Sequence, residues 1–124
     1  EEVMQWFGHK PNSLHSASID LREGGAWRFV ESGDEQQRSY FEGRYLKIVN
    51  NALLLFTWSR VSHRTDGSLH TSSASQVEVN FTAHKRGTQL RLIHSAIHDD
   101  PTRYGFCHGW ERAFTNLGQC FNAR

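Results

Sequence analysis

The tail GWERAFTNLGQCFNAR constrains this chain most. Its large apolar residues are Trp110, Phe114, Leu117 and Phe121, with Ala113 and Cys120 beside them. These intervals place one apolar stripe along a helix. The segment from Ser18 to Ile97 reads as short alternating strands instead. A lone long helix after a strand meander predicts an α+β domain, with the helix laid on one face of an antiparallel sheet. A space then lies between helix and sheet.

The meander has six predicted strands. Ser16 to Arg22 alternates, with Ala17, Ile19 and Leu21 on one face. After the turn Glu23-Gly24-Gly25, Ala26 to Ser32 carries Trp27 and Phe29 inward. A second turn is expected at Gly33-Asp34-Glu35. Arg38 to Val49 puts Phe41, Gly43 and Tyr45 on one face, where Gly43 marks a bulge or a close approach. Asn50-Asn51 turns the chain into Ala52 to Arg60, which is apolar on both faces. His63 to Ser73 reads as a hairpin loop. Ser75 to Ala83 alternates most cleanly, with Val77, Val79 and Phe81 inward, and Lys85-Arg86-Gly87 turns. Thr88 to His98 closes the meander, with Leu90, Leu92 and His94 facing away from Arg91.

Asp99-Asp100-Pro101 is a helix-start signal, an acidic cap followed by proline, so the helix is expected from near Pro101 to about Asn122. Phe114 and Leu117 are expected at the centre of its buried stripe. Gly105 and Gly109 each weaken it by up to ~1 kcal/mol relative to alanine. That cost is tolerable where a glycine lets the sheet or a ligand come close. Glu1 to Gly8 reads as the end of an earlier helix closed by Gly8 and Pro11.

The chain has 124 residues, a length that suits one domain with one core. Its 14 basic and 13 acidic residues are scattered, so nucleic acid is not an expected partner. The longest apolar run, ALLLF, is far too short to span a bilayer. No membrane association is expected, and no secretory signal is visible. Cys107 and Cys120, on one helix, would stand about 19 Å apart. A disulfide needs about 7 Å or less. Both thiols are expected free, which agrees with a cytoplasmic location.

Eight histidines raise a metal hypothesis. His94 and His98 share a strand face, followed by Asp99 and Asp100, with His108 on the helix. Strand positions i and i+4 lie about 13 Å apart, too far to share one ion. No metal site is expected. Positions 9, 15, 63 and 70 read as exposed loop histidines. His94 points inward, where an imidazole can anchor a ligand or act as a general base. The plainer reading is a core histidine bonded to a backbone carbonyl or a tyrosine hydroxyl. No GxSxG elbow is present, adjacent Cys107 and His108 diverge by about 100° on a helix, and Gly24-Gly25 lacks phosphate-loop spacing. No catalytic residue and no cofactor is assigned.

The aromatic set is the remaining signal. Trp27, Phe29, Phe41, Tyr45 and Phe56 are expected to line the space beneath the helix, together with Trp58, Phe81, His94, Phe106 and Trp110. Trp6 belongs to the same aromatic set. A packed core is the commonest fate of such residues. The architecture favours a pocket, because a single helix crossing a strongly curved sheet leaves volume at its ends, with His94, Tyr45 and Ser59 as candidate polar anchors.

Six motifs occur in order: WFG at Trp6–Gly8, DLREGGAWRF at Asp20–Phe29, FEGRYLKI at Phe41–Ile48, LLLFTW at Leu53–Trp58, GTQLRLIHS at Gly87–Ser95 and GW at Gly109–Trp110. Together they resemble the activator of heat-shock-protein-90 ATPase homologue family. This is the YndB/CalC-like branch of the START-like superfamily, also called SRPBCC or Bet v 1-like. The resemblance implies a helix-grip fold, in which a seven-stranded antiparallel sheet curls around a long C-terminal helix. It also implies a cavity suited to lipids, polyketides or other apolar molecules. The family's first strand and first helix would precede Trp6, so about 15 to 30 further residues are expected upstream. Residues 1–124 are expected to form a single such domain lacking those elements. The co-chaperone role in the family's name belongs to eukaryotic members in which this domain is joined to another.

The expected function is binding of an apolar or aromatic small molecule, by a monomer or homodimer. One rival is a polyketide cyclase-like enzyme with His94 as acid or base. Another is a co-chaperone-like module that engages proteins through the sheet's outer face.

Overall fold

The computed structural model describes Phe7 and residues 14–32, 38–63, 66–97 and 100–122, with side chains on the helix up to Gln119. The expected helix end at Glu1–Gly8, Trp6, His9, the turn at Gly33-Asp34-Glu35, His98, Asp99, and the side chains of Cys120 and Phe121 lie outside the described residues.

The strands are β1 (Leu14–Ile19), β2 (Ala26–Glu31), β3 (Tyr40–Val49), β4 (Leu53–His63), β5 (Leu69–Thr71), β6 (Ser75–His84) and β7 (Gly87–Ser95), followed by helix α1 (Asp100–Asn122). All pairings are antiparallel in the order β1-β2-β3-β4-β6-β7, with β5 pairing β4 off this path. The sheet curls and helix α1 closes its concave side, the helix-grip arrangement that the resemblance implies. No helix among the described residues is long and apolar enough to cross a membrane.

Turn chemistry sets the meander. Gly24 takes φ +82° in the β1–β2 turn, a region open to glycine at no steric cost. Asn51 takes φ +61° in the β3–β4 hairpin, where asparagine is among the tolerated residues. The Ala52 amide closes that turn on the Val49 carbonyl at 2.9 Å.

The segment His63 to Ser73 is not wholly a loop. Leu69–Thr71 forms β5, with Ser62 opposite His70. A strand this short leaves no periodicity to read. The β1 face also needs correction. A register shift between Leu14 and Ser16 buries Leu14, while Leu21 lies beyond the strand and is exposed. Ile19 sits opposite Trp27, yet it is half-exposed on this edge strand.

Rows of inward residues run across the strands. Phe29 faces Phe41, and Phe41 faces Arg60. Tyr45 faces Phe56, Phe56 faces Val77, and Val77 faces His94. The core gathers Leu14, Trp27, Trp58, Val77 and Val79 with Phe7 and Ala113. The opposite face carries an ion pair: Arg28 pairs with Glu42 at 2.9 Å and lies over the Tyr40 ring.

Gly43 is a close-approach site. An added Cβ would strike the Thr57 carbonyl oxygen and lie 2.8 Å from Trp27 Nε1. With no side chain there, the Trp27 and Trp58 indoles meet at 5.0 Å between centroids.

The helix is rotated from the expected setting. Ala113 is fully buried and Asn116 is 5 % exposed, whereas Phe114 and Leu117 are half-buried. Asparagine on the buried face broke the apolar pattern from which the stripe was read. No helix Cα comes within 8 Å of a strand Cα among the described residues, so helix and sheet meet through long side chains. At the helix start, Arg103 bonds Asp100 Oδ1 at 2.7 Å and the Ile97 carbonyl at 3.0 Å.

Candidate functional site

The gap between α1 and the sheet is filled from one end by rings. Phe7 packs against Phe29, Phe41, Trp58 and Trp110, with centroids 4.9 to 5.9 Å apart. Trp58 stands 5.0 Å from Trp110 and 6.2 Å from Phe106. Beyond these rings a cleft of about 420 Å³ remains open. Its aromatic wall is Phe7, Phe41, Trp58, Phe106 and Trp110.

The helix contributes Thr102, Gly105, Phe106, Gly109 and Trp110 to this wall, the i, i+3, i+4, i+7, i+8 positions of one face. A Cβ added at Gly105 or Gly109 would meet nothing within 4 Å. The two glycines therefore keep volume open and do not serve close packing.

The other end of the cleft is polar. Alternation along β4 puts Arg60 and Ser62 on the same face as Trp58. β5 sets His70 beside Ser62, and Glu31 comes from the end of β2. Arg60 Nη2 pairs with Glu31 Oε1 at 2.9 Å, and the guanidinium carbon lies 5.6 Å from the Phe41 centroid. The Arg60 amide donates to Ser72 Oγ at 2.9 Å, and the Ser72 amide returns a bond to the Arg60 carbonyl. A second hollow of about 340 Å³ opens between β7 and the helix, lined by Leu92, His94, Phe106, Cys107, Trp110 and Phe114 among others.

His94 is inward, as its strand position predicts. Trp110 Nε1 donates to His94 Nδ1 at 3.0 Å. An indole N–H is a donor only, so Nδ1 accepts and the proton sits on Nε2. Nε2 then donates to Ser75 Oγ at 2.6 Å, and Ser75 Oγ donates to the Trp58 carbonyl at 3.2 Å. The partners are a serine hydroxyl and an indole, not the backbone carbonyl or tyrosine hydroxyl expected. Phe106 stacks on the imidazole at 5.0 Å with an 8° interplanar angle. Burial pushes the His94 pKa down to about 4.

The expected lining residues divide by place. Phe41, Trp58, Phe106 and Trp110 line the larger cleft, and His94 lines the second hollow. Trp27, Phe29 and Tyr45 are core, with Phe56 and Phe81 packed against it, and they line neither space. Burial pushes the Tyr45 hydroxyl pKa up. Ser59 lies one residue from Trp58 and so on the opposite face, where it cannot anchor anything in the cleft.

Sequence reasoning missed Phe7 and the polar end. Trp58, Arg60 and Ser62 at alternating positions carry the signal, and β4 runs on to His63, past the expected end at Arg60. Cys107 is free and exposed, and its bond to Glu111 pushes the thiol pKa up. No group of metal-ligating side chains occurs among the described residues.

Comparison with known proteins agrees with this architecture. Residues 1–122 match the family model described as activator of Hsp90 ATPase homolog 1-like protein. A protein from Nitrosomonas europaea superposes with a TM-score of 0.69 at 20% identity, covering 98% of this chain and 79% of that one. An uncharacterised protein from Rhizobium leguminosarum gives 0.65 at 22% identity, covering 89% and 70%. A protein of unknown function from Staphylococcus aureus gives 0.61 at 16%, covering 99% and 80%. At such identities the likeness is one of fold. No curated protein matches the sequence.

Proposed function

The chain belongs to the activator of Hsp90 ATPase homolog 1-like family, and from that premise we propose that it binds an apolar or aromatic small molecule in the cleft between sheet and helix. One observation carries the reading. A space of about 420 Å³ is walled by five aromatic side chains and held open on the helix side by two glycines. Volumes of roughly 300 to 1,000 Å³, apolar with a few polar groups, suit small ligands.

The histidine chemistry favours binding over acid–base catalysis. Both ring nitrogens of His94 are engaged, and the lone pair a general base would use accepts from Trp110.

The test is titration with N-phenyl-1-naphthylamine, an uncharged fluorophore that brightens in apolar surroundings. We expect a micromolar dissociation constant, about 8 kcal/mol, with quenching of tryptophan emission, because Trp58 and Trp110 are in the wall. Absence of saturable binding up to the probe's solubility would remove the reading.

A further inference from the structure

The charge arrangement at the polar end bears on which molecules the cleft accepts. Among the described residues that line it, Arg60 and Glu31 are the only permanently charged ones. They are not separate features. They pair at 2.9 Å, with side chains 38 % and 31 % exposed. The backbones that carry the pair are hydrogen-bonded on both sides. Arg60 is pinned through its backbone to Ser72 and lies against the Phe41 ring. The Glu31 backbone N–H donates to the Ser39 carbonyl at 2.9 Å, which sets the strand end that carries the carboxylate.

An anion that reaches Arg60 therefore meets the Glu31 carboxylate at nearly the same distance. Attraction and repulsion cancel to first order, and the anion still loses its hydration. A cation faces the mirror problem. A neutral group with both donor and acceptor loses less. It can donate to Glu31, accept from the guanidinium, and exchange bonds with the Ser62 hydroxyl.

We infer that Glu31, through its pairing with Arg60, selects uncharged ligands: an aromatic body against Trp58 and Trp110, with a hydroxyl or carbonyl at the Arg60 end. The inference rests on the binding reading above and names its ligand class. Arg60 alone would make an anion site, and Glu31 converts it into a neutral one.

The experiment compares 2-naphthol, neutral at pH 7.5, with 2-naphthoate, an anion on the same ring system, by isothermal titration calorimetry. The native protein is expected to bind 2-naphthol about tenfold more tightly. Glu31→Gln keeps the shape and frees the guanidinium. It should raise naphthoate affinity about tenfold and change naphthol affinity by less than about threefold. Adding Arg60→Gln to that variant should abolish the gain. If Glu31→Gln fails to fold by circular dichroism, Arg60→Gln alone serves, because the Glu31 charge left behind should weaken naphthoate further and spare naphthol. Equal or preferred binding of naphthoate by the native protein overturns the inference and leaves the binding reading standing. An unchanged ratio in the folded Glu31→Gln variant does the same. Binding of neither compound overturns the inference, and the N-phenyl-1-naphthylamine titration decides the binding reading separately.

Discussion

Trp110 on the helix donates its indole N–H to Nδ1 of His94 on β7 at 3.0 Å. The bond ties the two layers at a place where no backbone comes close. It fixes the imidazole tautomer, and the chain continues through Ser75 to the carbonyl of Trp58. Each donor in the sequence has an acceptor, the condition under which a buried polar network rigidifies a core.

Removing the indole donor should release His94. In Trp110→Phe, the smaller ring leaves the imidazole less buried and its neutral form loses a bond at Nδ1, so the His94 pKa should rise from about 4 towards its ordinary value of 6.5. Stability should fall by about 1 to 3 kcal/mol, the cost of an unsatisfied buried acceptor. A ring-proton titration followed by NMR reads the first effect and urea melts the second. An unchanged titration midpoint would mean that the indole does not hold the ring.

The same histidine gives the fold a pH dependence. Its folded pKa lies below the unfolded one, so between about 6.5 and about 4 the unfolded chain binds a proton that the native protein refuses. Stability from this group is present above pH 6.5, is lost as pH falls through that window, and falls no further below pH 4. Solvent screening at a half-buried ring reduces the loss to about 2 kcal/mol. Carboxylates titrate nearby, so the measurement is the difference between native protein and His94→Gln in urea melts from pH 7.5 to 4. Parallel curves would show that His94 contributes nothing.

Gly43 should tolerate no side chain. Alanine there meets the Thr57 backbone and the Trp27 indole, and backbone cannot rotate away. Gly43→Ala is expected to cost about 1 to 3 kcal/mol through overpacking and to shift the near-ultraviolet signal of the tilted Trp27–Trp58 pair. Gly24→Ala would also be destabilising, through its φ of +82° alone, and should leave that signal intact. Identical spectra for the two variants would contradict this account of the indole pair.

Alternation and turn residues made most of the sheet legible. Trp27, Phe29, Val77, Val79 and His94 all point where a period of two places them. What stayed hidden has physical causes. The bulge after Leu14 adds a residue that no composition marks. β5 has three residues, too few for a pattern. Asn116 is polar and buried, so the helix stripe was drawn around Phe114 when Ala113 is the deeper residue. The cleft was the least legible part, because an aromatic residue reads alike whether it packs in the core, as Trp27 does, or walls a space, as Trp110 does. The Arg60–Glu31 pair joins strands that are not neighbours in sequence, and only the folded sheet brings it together.

Gly109 separates the two roles a helix residue can have here. Its absent side chain would point into open space, with nothing within 4 Å of an added Cβ. Glycine inside a helix costs up to ~1 kcal/mol relative to a good helix former. Gly109→Leu should therefore stabilise the protein by roughly 0.5 kcal/mol or leave it unchanged, and it should fill part of the cleft beside Trp58 and Trp110. Affinity for N-phenyl-1-naphthylamine should fall about tenfold or more. Gly118, also on the helix with open space at its Cβ but outside the cleft lining, is the control. Gly118→Leu should share the stability change and leave the probe's affinity alone. A Gly109→Leu protein that melts no earlier and binds the probe as before would place the binding volume elsewhere in the molecule.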